Sequence, residues 1–157
     1  MGNPILSDDG VGFRIVEELE NRYDEREVTV IATDLAGLSL LDLILGYDKV
    51  IIIDSIQTGE GKVGQVYRLD AEDFTTTRHA ASPHDVNLAT ALELGKRLGL
   101  SVPREIVIIA IEVQDVTTFG ESCTPKVERA IPAAVKMVAR ELAGWGRHKD
   151  TGPGDQA

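Results

Sequence analysis

The sequence predicts an α/β fold, a three-layer sandwich in which a mostly parallel, twisted sheet carries helices on both faces. Three observations lead there. Two continuous apolar runs, "KVIIID" (49–54) and "EIVIIAIEV" (105–113), read as strands buried on both faces, which is the pattern of parallel sheets. Segments with apolar residues at helical spacing alternate with these runs. Gly and Pro mark many of the boundaries between them.

The elements follow in order. Val11, Ile15, Val16, Leu19 and Tyr23 recur at helical spacing and predict a helix from Val11 to Tyr23. "VTVIAT" (28–33) is rich in β-branched residues and predicts a strand. "SLLDLILG" predicts a short helix stopped by Gly46. The buried strand "KVIIIDSI" comes next, and the Gly-rich "QTGEGKVG" joins it to a short strand, "GQVYRL". Pro83 to Leu98 predicts a helix, with Ser82 as N-cap, Pro83 at N1 and Asp85 at the capping-box position. After the strand at 105–113, Thr124 and Pro125 offer an N-cap and an N1 proline for a helix to about Ala143. Residues 1–143 are thus expected to form one domain, and 144–157, "GWGRHKDTGPGDQA", a frayed tail.

Composition narrows the function. A chain of 157 residues suits one domain with a real core. No apolar run approaches the roughly 18 residues that span a bilayer, and no signal-peptide pattern opens the chain. The single cysteine, Cys123, excludes an internal disulfide and a Cys-based zinc site. These features favour the cytoplasm and give no membrane partner. A net charge of −10 repels phosphate backbones, which argues against nucleic acid. With no obvious apolar seam, a monomer is expected.

In α/β sheets ligands gather at the carboxyl ends of the strands, and three groups of residues fall there. Asp54 closes "KVIIID"; it is either a ligand or a cap and anchor for the next loop. His84 falls in a first helical turn, where the dipole favours the neutral ring that binds metals; the competing reading is a surface histidine beside a cap. Asp8 and Asp9 sit side by side in a Gly-rich turn before the first helix. Helix capping accounts for them, and so does a cation site, whereas a phosphate site would be repelled. Two carboxylates and a neutral imidazole suit a borderline divalent metal with an open position. His79 has no comparable placement, and His148 lies in the tail. Cys123, before the Thr124-Pro125 helix start, reads as a small, partly buried side chain ahead of a catalytic thiol.

Four segments, "GNPILSDDGVGFRIVEEL", "VIIIDSI", "SPHDVNLATAL" and "TPKVERAI", appear in an order that resembles the hydrogenase maturation proteases. These endopeptidases finish the large subunit of nickel-iron hydrogenases. The resemblance implies that Asp9, Asp54 and His84 bind a metal, Asp9 standing where relatives often have Glu. Asp8 is then left with a capping role. It further implies removal of a C-terminal extension from the nickel-loaded large-subunit precursor. The nickel would be presented by the substrate, with no organic cofactor, and a cation-activated water is the expected attacking group. Cleavage should then fall as pH drops through about 6.5, where His84 would protonate.

The chain departs from the family pattern twice. The family has a short apolar strand before the "GN" turn, so a natural start upstream of Met1 is expected. Its Gly-Gly-Thr-like loop is replaced by "TDLAGLSLL". There Gly37 would supply backbone freedom, and Asp34 either contacts the substrate tail or is a solvated loop acid. Two further functions compete: a non-catalytic module that binds the precursor or a metal, and a metallopeptidase with its own tightly held zinc.

Overall fold

The computed structural model describes residues 1–24, 26–35, 37–71 and 88–147. The chain is α/β. Its sheet has three strands, β1 (Lys49–Ile56), β2 (Val66–Asp70) and β3 (Glu105–Glu112), in the order β1-β3-β2. β1 and β3 run parallel, with Asp54 opposite Ala110 and Ile56 opposite Glu112. β2 runs antiparallel to β3. Among the described residues the sheet is therefore mixed, where a mostly parallel one was expected. The reason lies in the connection: residues 57–65 hold no helix, and a parallel return needs a crossover of a dozen residues or more.

β3 carries the two cores, because successive side chains of a strand point to opposite faces. Val107, Ile109 and Ile111, with Ile53 of β1, pack in one cluster with Val11, Ile15 and Leu19 of α1 (Val11–Glu20). Val135 and Val138 of the long C-terminal helix complete that cluster. Ile108, Ala110, Ile52 and Ile56 pack in the other, with Leu40, Leu41 and Ile44 of α2 (Leu38–Ile44) and Leu88 and Ala91 of α3 (Leu88–Arg97). The outcome is a strand whose apolar residues from 107 to 111 are fully buried, as its unbroken apolar run implies.

Three expectations change. Residues 28–33 form no strand: their β-branched composition supplies propensity, but among the described residues no neighbouring strand takes up their backbone groups, and Ile31 is 46% exposed. The helix expected from Thr124 to Ala143 is two, α4 (Pro125–Glu128) and α5 (Ile131–Arg147). Pro132 explains the break, since it has no N–H for the Glu128 carbonyl and its ring crowds that turn. α5 also runs to Arg147, four residues into the expected tail. Trp145 anchors it, packing on the α1-side core and donating its ring N–H to Glu105 Oε1 at 2.9 Å. Among the described residues no helix is long and apolar enough to cross a membrane.

Candidate functional site

Both β1 and β3 end in the same direction, and buried acids collect at that edge. Asp54, 1% exposed, lies two residues before the end of β1. Asp9, 4% exposed, lies in a single 3-10 turn, Ser7–Gly10, that leads into α1. Ser55 ties the two together. Its backbone N–H donates to Asp54 Oδ1 at 2.9 Å, and its hydroxyl donates to Asp9 Oδ1 at 2.7 Å. Asp9 Oδ2 accepts the Asn3 N–H at 2.9 Å. These donors are neutral, so they orient the carboxylates without cancelling their charge.

The charges of both acids act on the Met1 amino group. The Met1 ammonium donates to the Ile53 carbonyl. Burial pushes its pKa down, while the charges of Asp54 and then Asp9 act to raise it. Two buried carboxylates linked through Ser55 are donor chemistry that a hard or borderline divalent ion takes. The third residue assigned to this set, His84, lies outside the described residues, as do His79 and His148. Within the described residues alone, no group of three or more His, Cys, Asp or Glu side chains could hold a metal.

Asp8 does something else. It is fully buried, and α1 has no side-chain cap. Its Oδ2 accepts the N–H groups of Gln114 (3.1 Å) and Asp115 (3.0 Å) and the Thr124 hydroxyl (3.1 Å). Its Oδ1 accepts the Thr124 N–H at 2.6 Å. The expected capping role is thus corrected: Asp8 does not cap its own helix, but binds the loop after β3 to the start of α4.

The remaining sequence candidates separate clearly. Gly37 is buried with φ +58°, a left-handed conformation at the start of α2 that favours glycine. Asp34 is exposed in the irregular stretch before it. Cys123 is buried, its thiol 3.7 Å from the Ser7 carbonyl. Burial, and after it the charges of Glu128 and Asp8, push that thiol up to about 11, which disfavours the nucleophilic thiolate.

One buried acid escaped the sequence reading. Glu112, 3% exposed, closes β3 as Asp54 nearly closes β1. The signal was present: an acid at the end of an apolar run, the same pattern that singles out Asp54.

Comparison with known proteins points to one family. The family model HycI, described as hydrogenase maturation protease, matches residues 13–141. The hydrogenase 2 maturation protease of Escherichia coli K12 is 29% identical over 144 residues, covering 90% of this chain and 87% of that protein. The hydrogenase expression/formation protein HupD of Bradyrhizobium diazoefficiens is 28% identical over 149 residues, or 93% of this chain and 77% of HupD. Among solved structures, the hydrogenase maturating endopeptidase HybD from E. coli superposes with a TM-score of 0.74 at 29% identity, over 92% of this chain and 90% of HybD.

Proposed function

The chain belongs to the hydrogenase maturation protease family, and we propose that it is the endopeptidase that removes a C-terminal extension from a nickel-loaded hydrogenase large-subunit precursor. The observation that carries this reading is the buried pair Asp9 and Asp54, joined through Ser55 at the carboxyl edge. Nickel belongs to the substrate here, and no resident organic cofactor is required. On this reading the enzyme works in the cytoplasm as a monomer.

Asp9 and Asp54 would receive the precursor's nickel, with His84 as the third ligand assigned by its place in "SPHDVNLATAL". A bound divalent ion supplies Lewis acidity, which polarises a carbonyl and lowers the pKa of water. Ser55 holds both carboxylates in one orientation, so their lone pairs are set before the cation arrives. Burial strengthens every charge interaction inside the site. Specificity follows: a precursor without its metal offers no cation to these acids, and so is not held in register. Asp34 and Gly37 are proposed to contact the extension itself.

The test is a mixture of the protein with nickel-loaded precursor, and separately with nickel-free precursor, read by intact mass. Loss of the extension from the loaded form alone, abolished by His84→Ala, is the expected result. Stable binding with no mass change at substoichiometric protein would move the assignment to a precursor-binding module. Cleavage of both forms, with zinc copurifying at one equivalent, would point to a resident-metal peptidase.

A further inference from the structure

Glu112 takes no part in the scheme above, yet it is among the most thoroughly enclosed carboxylates of the chain. Its Oε1 accepts the Thr58 N–H at 2.8 Å, and its Oε2 accepts the hydroxyls of Thr58 (2.9 Å) and Tyr67 (3.2 Å). The nearby charge of Glu112, after burial, helps hold the Tyr67 phenol above its ordinary pKa. Its backbone is engaged as well: its carbonyl accepts the Gly64 N–H at 2.8 Å and its N–H donates to the Gln65 carbonyl at 2.8 Å. Both ends of the 57–64 loop therefore hang from this one residue.

The loop closes directly over the carboxylate. A Cβ at Gly61 would lie 2.4 Å from Glu112 Oε2 and 2.4 Å from the Tyr67 hydroxyl, so a larger residue there would push the carboxylate and the phenol aside. The Thr58 hydroxyl accepts the Gly61 N–H at 2.8 Å, which carries the anchor from Glu112 across the turn. Gln57 adds a tie of its own to the Gln114 carbonyl at 3.2 Å.

Register puts this anchor beside the candidate site. Ile56 is opposite Glu112 and Asp54 is opposite Ala110, so Asp54 and Glu112 point to the same face of the sheet, one step apart diagonally. The loop begins three residues after Asp54 and presents Gly59, Glu60 and Lys62 to solvent. We infer that Glu112 is a positioning residue: it fixes the 58–61 turn beside Asp54 as a contact surface for the precursor's C-terminal segment. The inference rests on the peptidase reading for the identity of that segment.

Its chemistry fits an extended peptide. The turn's N–H groups at 58, 60, 61 and 64 are already taken up inside the chain, so it offers a set, low surface at Gly59 with one exposed charge of each sign, Glu60 and Lys62, to select flanking residues. Holding such a turn rigid lowers the ordering cost of binding and leaves the bond-breaking step alone.

Glu112→Ala and Glu112→Gln separate the possibilities. Glutamine keeps the size and an acceptor for the Thr58 N–H; alanine strands that donor. For Glu112→Ala, hydrogen exchange at the Thr58 and Gly61 amides should rise while β3 stays protected. Precursor binding should weaken about ten-fold, with the cleavage rate at saturation within about threefold of the parent. Glu112→Gln should recover binding to within about threefold. Faster exchange in the loop with unchanged binding would overturn the inference, and so would a collapsed saturating rate with intact binding. A parent protein that binds the precursor but never cuts it sinks the peptidase reading, and the binding contrast between the two variants still decides Glu112. A parent that does not bind at all overturns both.

Discussion

At the amino end of the sheet, Lys49 pairs with Glu105 at 3.1 Å and Arg104 pairs with Asp48, all at least a quarter exposed. At the carboxyl end, Asp9, Asp54 and Glu112 are each 4% exposed or less, and the donors around them include backbone N–H groups and the hydroxyls of Ser55, Thr58 and Tyr67. The difference shows how one small sheet handles charge in two ways at its two ends. Where opposite charges meet in solvent they cancel, and such pairs are worth at most about 1 kcal/mol. Where buried acids meet backbone N–H groups and hydroxyls, they are held in one orientation inside the protein. Asp8 gives the contrast within two adjacent residues. Its two oxygens are taken up by four donors from the chain, whereas Asp9 next to it is linked to the Asp54 end of β1 through Ser55.

Substitutions can break or sharpen that contrast. The largest effect is expected from Asp54→Asn, which keeps an acceptor for the Ser55 N–H but removes the charge. Cleavage of the nickel-loaded precursor should fall on the order of a hundred-fold or more, with little change in melting temperature. Near-normal turnover by that variant would remove Asp54 from the site. Asp8→Ala comes next and strikes stability: it strands three backbone N–H groups and should cost on the order of 3 kcal/mol in urea denaturation. A loss below about 1 kcal/mol would mean that water replaces the carboxylate. Cys123→Ala should cost about 1 kcal/mol and leave the cleavage rate unchanged, since its raised thiol pKa makes it inert. Any strong loss of turnover there would reopen the thiol mechanism.

The smallest effect belongs to the amino end. The Trp145 N–H, with Lys49 behind it, holds the Glu105 carboxyl below its ordinary 4.5. A group whose pKa is lowered on folding stabilises the protein above its unfolded pKa, and the contribution fades as pH falls through the folded value. Trp145→Phe should therefore flatten the acid limb of the stability profile below about pH 4.5, by less than about 1 kcal/mol. A profile that steepens instead would contradict the sign.

Much of this was legible from residue patterns, and the exceptions have physical causes. The runs at 49–54 and 105–113 identified β1 and β3 because burial on both faces leaves no polar alternation to confuse. Asp9 and Asp54 could be paired only because both fall at one sheet edge, a statement about topology that spacing alone does not contain. The segment 28–33 misled because strand propensity says nothing of who the partner is. Pro132 was overlooked inside a strong helical pattern, although a missing N–H is readable from sequence. Trp145 was hidden by the glycines around it, which suggested fraying, while its contacts come from residues some forty positions earlier. Glu112 was passed over because it is followed by a further apolar residue, Val113, which made it look like an interruption of the strand.

The bonds made by Asp8 also set a schedule. Its partners lie 106, 107 and 116 residues downstream. On a ribosome adding about 5–20 residues per second, Asp8 waits several seconds after its own synthesis for Thr124 to be made. Until then the turn that carries Asp9 has only its local bonds and the Ser55 hydroxyl to hold it. The turn next to the proposed cation site is thus tied down only once Thr124 has been translated, so on the proposed reading that site is completed late in synthesis.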